Sequence, residues 1–177
     1  MISPLFGLVL LENLYCFANI TSLTLPLLSP LPPRFLVHEE VIDEFSRLLE
    51  IAVAELKVGD GMIKGNNIGP LISTKQVTIV DQKVKDSIAN GASLISGGTT
   101  LPSIGSNFYS PTILKNVSPN DDIFKTETFG PVVAITPFKT DEEAIEVANS
   151  TGAGLMAYVF TNNMKRIFDV TNKIEAG

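Results

Sequence analysis

A single cysteine, Cys16, stands among 177 residues, and a single histidine, His38, joins it. One thiol excludes a disulfide within the chain and fits a reducing compartment, so a cytoplasmic location is expected. One cysteine and one histidine cannot supply the ligands of a usual zinc site, and no metal is expected. Basic clusters are missing too. The chain carries 13 Lys and Arg against 19 Asp and Glu, a formal charge of -6. A nucleic-acid binder normally presents a basic face, so no nucleic-acid partner is expected. Nor is there an internal repeat or a GxGxxG fingerprint. A membrane span needs about 20 apolar residues. The apolar run at residues 5–11 ends at Glu12 and Asn13, with prolines beyond. Membrane association is therefore not expected.

What is present divides at Arg34. Overall, 45% of the residues are hydrophobic and 18% charged, an ordinary globular balance. Yet Glu12 is the only charged residue in 1–33, which is rich in Leu, Pro and Ser. That segment has no positive start for a secretory signal and no arginine for a mitochondrial presequence. It reads as a non-native apolar leader, from intron or a misplaced start codon. A signal-like segment or a genuine extension are the alternatives.

From Arg34 onward the pattern is regular. Residues 34–37 read as a strand. Residues 41–56 predict a helix, with Ile42, Phe45, Leu48, Leu49, Ala52, Val53 and Leu56 at helical spacing. Ser73 and Gln76 form a capping-box pattern, opening a helix with Val77, Val80, Val84 and Ile88 on one face. Asn90-Gly91 stops it, and residues 92–96 form a strand before the Gly97-Gly98 turn. Residues 108–114 are extended, broken by Pro111. Residues 132–138 are an apolar run of the sort buried in a parallel sheet. Thr140 and Glu143 form a second capping box, opening a helix through Ala148. Residues 155–160 predict a strand and 164–174 an amphipathic helix. The alternation predicts an α/β fold with a mostly parallel sheet and flanking helices. The chain ends just after a helix, where an α/β chain would return to its sheet, so a missing C-terminus is expected.

The run Glu127-Thr128-Phe129-Gly130-Pro131 precedes the apolar strand. In α/β sheets ligands gather at strand ends and loops. A carboxylate there can accept hydrogen bonds from two sugar hydroxyls. An aromatic ring two residues on can support a flat ring. Gly130 permits close backbone approach, and Pro131 fixes direction. The same residues also fit a plain turn with a solvated Glu127 and a core Phe129, because short motifs recur by chance.

The flanks decide between these readings. Residues 122–132, Asp-Ile-Phe-Lys-Thr-Glu-Thr-Phe-Gly-Pro-Val, resemble the glutamate-x-phenylalanine-glycine-proline segment of aldehyde dehydrogenases. Upstream in the same order come Arg34-Phe35-Leu36-Val37, Lys57-Val58-Gly59-Asp60, Gly69-Pro70-Leu71-Ile72, Gly97-Gly98 and Phe108-Tyr109-Ser110-Pro111-Thr112. Downstream come Phe138-Lys139-Thr140-Asp141-Glu142-Glu143 and Ala157-Tyr158-Val159-Phe160-Thr161. The resemblance covers about four-fifths of the chain, and its nearest flavour is the succinate-semialdehyde dehydrogenase group.

The resemblance implies that residues 34–177 are part of an NAD(P)-dependent aldehyde dehydrogenase catalytic domain. Glu127 matches the family position that binds the nicotinamide ribose hydroxyls. Phe129 matches the one packed against the nicotinamide half of NAD or NADP. In the family a cysteine thiolate attacks the aldehyde and water hydrolyses the thioester. The nucleophile's place before Arg34 holds Ser29-Pro30-Leu31-Pro32-Pro33 here, and the glutamate base matches nothing in the chain. Cys16 lies too far from Arg34 and has nothing nearby to lower its pKa. No catalytic residue is therefore assigned, and this chain alone is expected to be inactive. The small-molecule aldehyde partner and homo-oligomer of the family belong to a full-length parent, which could be mitochondrial. For this chain the oligomeric state stays open. The alternatives are a non-catalytic partner-binding fragment or pseudoenzyme, and a protein anchored to a membrane by residues 1–33. His38, beside Glu39 and Glu40, reads as a surface residue opening a helix. Lys83 and Lys85 read as a solvated helix face. Gln76 lies near a family region that touches the cofactor's adenosine end, but reads here as a cap.

Overall fold

The computed structural model describes residues 34–152 and 157–176. The leader, Cys16 and part of the strand expected at 155–160 lie outside them. Four strands form one sheet: β1 (Phe35–His38), β2 (Ser93–Ser96), β3 (Thr112–Lys115) and β4 (Val132–Phe138), in the order β1-β4-β3-β2. β4 runs parallel to both β1 and β3, and β2 joins β3 antiparallel through an irregular register. Two of the three pairings are parallel, as the alternation of strands and helices predicts.

Helices cover both faces. On one side α1 (Ile42–Ala54) packs Ile42, Leu49 and Val53 against Phe35, Val37, Ile113, Val133 and Ile135. On the other, α2 (Thr74–Ala89) packs Val77, Val80 and Val84 against Leu36, Leu114, Ala134 and Phe138. The same side receives the one-turn helix α3 (Asp122–Lys125), α4 (Asp141–Asn149) and α5 (Met164–Thr171), through Phe124, Ala144 and Val170. Successive strand side chains point to opposite faces, so a strand covered on both sides reads as a continuous apolar run. This is why residues 132–138 coincide with β4 end to end.

Hydrogen bonding at helix starts explains the other boundaries. The Glu143 amide donates to Thr140 Oγ1 at 3.2 Å, and the Glu143 carboxylate accepts from the Lys139 amide at 2.7 Å. The Gln76 amide likewise donates to Ser73 Oγ at 3.2 Å, but the Gln76 side chain does not close the box. Leu48 and Ile88, expected on buried stripes, are exposed: Leu48 lies away from the arc that Ile42, Ser46, Leu49 and Val53 turn toward the sheet, and Ile88 sits at the margin of its helix's arc. Of the strand expected at 155–160, residues 157–159 form no regular element and Phe160 makes a single β-bridge. Gly97, in the left-handed region at φ 78°, makes a turn whose Cβ would strike the Pro111 carbonyl oxygen. Among the described residues no helix is long and apolar enough to cross a membrane.

Candidate active site

The segment 126–131 connects α3 to β4 and lies against α2. It is held at successive points through both side chains and backbone. Lys83 of α2 donates to Thr126 Oγ1 at 2.5 Å, to the Glu127 carbonyl at 3.1 Å and to Thr128 Oγ1 at 3.4 Å. Gln76, two turns earlier on the same helix, donates from Nε2 to the Phe129 carbonyl at 3.0 Å. The Gly130 amide bonds the Thr128 carbonyl, and the Val132 amide bonds the Gly130 carbonyl, giving two consecutive three-residue turns. The Pro131 carbonyl then accepts the Thr112 amide of β3 at 2.8 Å. The Val80 side chain lies directly beneath Gly130, where a Cβ would approach it to 2.7 Å.

With the backbone so engaged, two side chains remain open. Phe129 is 57% exposed, which removes the reading of it as a core residue. Glu127 is exposed, and among the described residues nothing bonds its carboxylate. The pair at positions 127 and 129 thus offers two acceptor oxygens and an aromatic face from one short segment. A vicinal diol and a flat heteroaromatic ring fit that half-apolar surface with its acceptor carboxylate. Carboxylate and ring can bind and orient. Neither is arranged with a nucleophile among the described residues, whose sequence contains no cysteine.

Other residues picked out from the sequence fall elsewhere. His38 ends β1 rather than opening α1. Its Nε2 bonds the Lys139 carbonyl at 2.9 Å, Nδ1 accepts the Glu40 amide at 3.3 Å, and the ring stands edge-on to Phe138. It is mostly buried, because the β1–β4 pairing continues past it, and so is not a surface residue. Lys85 is solvated and pairs with Asp81, as expected. Lys83 is not: its side chain is only 11% exposed and also pairs with Asp122 at 3.3 Å. Its position was legible in principle. Lys83 lies three residues after buried Val80 and four before buried Ser87, inside the inward stripe of α2. Hydropathy hid it, since a lysine scores as solvated whatever its partners. Tyr109 is fully buried, and its hydroxyl donates to Asp81 at 3.3 Å. Burial first, and the Asp81 charge second, push its pKa well above the ordinary tyrosine value. Arg34 donates to the Phe124 carbonyl and lies over the Phe124 ring, and burial lowers its pKa.

Fold and site together define an α/β protein that presents a carboxylate and an aromatic ring from a rigid loop at its sheet. The model of the aldehyde dehydrogenase family matches residues 31–177. The chain belongs to that family. It is 43% identical over 144 residues to the mitochondrial succinate-semialdehyde dehydrogenase of Arabidopsis thaliana, covering 81% of this chain and 27% of the relative. It is 39% identical to an Escherichia coli K12 succinate-semialdehyde dehydrogenase named for NADP(+), covering 81% of this chain and 30% of the relative. The crystal structure of succinate-semialdehyde dehydrogenase from Burkholderia pseudomallei superposes with a TM-score of 0.79 at 41% identity, over 82% of this chain and 30% of that one. The chain thus spans about three tenths of the length of these relatives.

Proposed function

We propose that Glu127 and Phe129 form the nicotinamide-ribose contact of an NAD(P)-dependent aldehyde dehydrogenase. The whole protein would oxidise an aldehyde to its acid, with succinate semialdehyde as the substrate suggested by the relatives' names. The observation that carries this reading is the contrast within one segment: a backbone held from Thr126 to Pro131, and an exposed carboxylate and ring upon it. Glu127 would accept hydrogen bonds from the ribose diol, and Phe129 would pack on the nicotinamide half. When bound, NAD or NADP supplies the hydride acceptor. The chain's own part is to fix that group's position, which is a contribution of orientation.

Residues 34–177 are the catalytic-domain portion in this reading, and residues 1–33 lie outside it. The chain alone does not oxidise aldehydes, because its one thiol, Cys16, falls in that outer segment. A cytoplasmic or mitochondrial compartment suits the reading equally. Titration of 15N-labelled chain with nicotinamide mononucleotide tests the site. The amides of residues 126–130 should shift, and Glu127→Gln should weaken binding about tenfold by removing one charged acceptor. Saturable shifts confined to other segments, or none at all, would overturn the assignment. Reduction of NAD(P) by the purified chain on adding succinate semialdehyde would refute the inactivity.

A further inference from the structure

Lys83 is an unusual lysine for a helix on an open surface. Long cationic side chains normally bury their stems and keep the ammonium in water. Here the side chain is 11% exposed and the ammonium is turned inward. Among the described residues four oxygens surround it: Thr126 Oγ1 at 2.5 Å, the Glu127 carbonyl at 3.1 Å, an Asp122 carboxylate oxygen at 3.3 Å and Thr128 Oγ1 at 3.4 Å. An ammonium has three donors and no acceptor, so a shell made only of oxygens matches its chemistry. Three of the four oxygens belong to consecutive residues, and the middle one is the residue whose carboxylate is free. The remaining one, on Asp122, supplies the charge that offsets removing the ammonium from water.

We infer that Lys83 is a positioning residue for the cofactor site: its ammonium holds the Glu127 backbone carbonyl and the hydroxyls of Thr126 and Thr128 on either side, and thereby sets where the Glu127 carboxylate stands. The inference rests on the nicotinamide-ribose reading of Glu127 and deepens it. A ribose diol is met by two oxygens at defined places, so a carboxylate carried on a wandering backbone binds it more weakly. Gln76 holds only the next carbonyl, at Phe129, and acts beyond the residue that matters here. A brace that served folding alone would change stability and leave the affinity of the folded chain untouched.

That difference defines the test. The full chain, as wild type, Lys83→Met and Lys83→Arg, is titrated with nicotinamide mononucleotide by 15N spectroscopy, and amide exchange of Gly130 is measured without ligand. Lys83→Met should raise the dissociation constant about tenfold and speed Gly130 exchange by a similar factor, the scale set by losing the charge-assisted bond to the Glu127 carbonyl among the ammonium's contacts. Lys83→Arg, which keeps charge and donors, should stay within about threefold of wild type. If Lys83→Met does not fold, Lys83→Gln replaces it, with the same expectation. A folded Lys83→Met chain that binds like wild type overturns the positioning role and leaves the cofactor reading intact. A wild-type chain with no response at residues 126–130 overturns the cofactor reading, and this inference with it.

Discussion

Replacing Gly130 by alanine tests how tightly the site is seated on α2. Gly130 does not occupy the left-handed region, so alanine can adopt its backbone. On entropy alone the change would stabilise the chain by about 0.4–1 kcal/mol, because alanine restricts the unfolded state. The packing opposes this. The new methyl would sit 2.7 Å from Val80 Cγ2 and 3.2 Å from Cγ1. Val80 is fully buried, and a β-branched residue in a helix has essentially one χ1 rotamer, so it cannot swing aside. Overpacking of this kind costs about 1–3 kcal/mol, which exceeds the entropic gain. A net loss of about 1–2 kcal/mol is expected in urea unfolding. The double mutant separates a clash from any other cause. Val80→Ala alone removes two buried methyls and should cost about 1.5–3 kcal/mol. In the pair, the alanine methyl at 130 enters the space that valine leaves. The double mutant should therefore be no less stable than Val80→Ala alone, with a coupling of about 1–3 kcal/mol. Two single effects that add within about 0.5 kcal/mol would refute the reasoning, since they would mean the loop moves away from α2 at little cost.

Further expectations follow from individual groups. Glu127→Gln, exposed and unbonded among the described residues, should change unfolding free energy by less than about 0.5 kcal/mol while weakening nicotinamide mononucleotide binding, so that a large stability change would mark Glu127 as structural. Thr140→Ala removes the side chain that caps α4 and should cost about 1 kcal/mol in urea unfolding, an unchanged midpoint counting against the cap. Tyr109 has a folded pKa raised above its unfolded value near 10 by burial and by Asp81. Its contribution is fully present below pH 10 and is lost as pH rises beyond, because the unfolded chain releases the proton first. Unfolding free energies measured from pH 9 to 12 should fall more steeply for wild type than for Tyr109→Phe, and equal slopes would contradict the assignment.

The sequence made β4 legible to the residue because a strand buried on both faces leaves a continuous apolar signature, and residues 132–138 carry one. The starts of α2 and α4 were legible for a local reason: Ser73 and Thr140 bond amides three residues on. Where partners are distant, pattern fails. The one-turn helix α3 has four residues, too few for periodicity to register. Gln76 looked like half of a capping box, yet its side chain bonds a carbonyl 53 residues away. Lys83 reaches oxygens 43 to 45 residues further along the chain. Neither link leaves a trace in a window of ten or fifteen residues. The family resemblance singled out Glu127 and Phe129 by matching a motif, and it is silent on what holds that motif still.

The division between motif and support has a consequence for how the site can fail. Within residues 126–131 the roles split by atom rather than by residue. Backbone carbonyls of Glu127, Phe129 and Pro131 take hydrogen bonds from α2 and β3, while the side chains of Glu127 and Phe129 face outward. Substituting an outward side chain therefore removes the proposed ligand contact and leaves the segment's geometry alone. Substituting Gln76, Val80 or Lys83 does the reverse: every residue of the motif survives, and its placement changes. Precise placement is what an orienting site contributes, since its carboxylate and ring make no bonds during reaction. If Glu127 and Phe129 hold the cofactor as proposed, α2 belongs to that site as fully as the motif does, although none of its side chains need touch the cofactor.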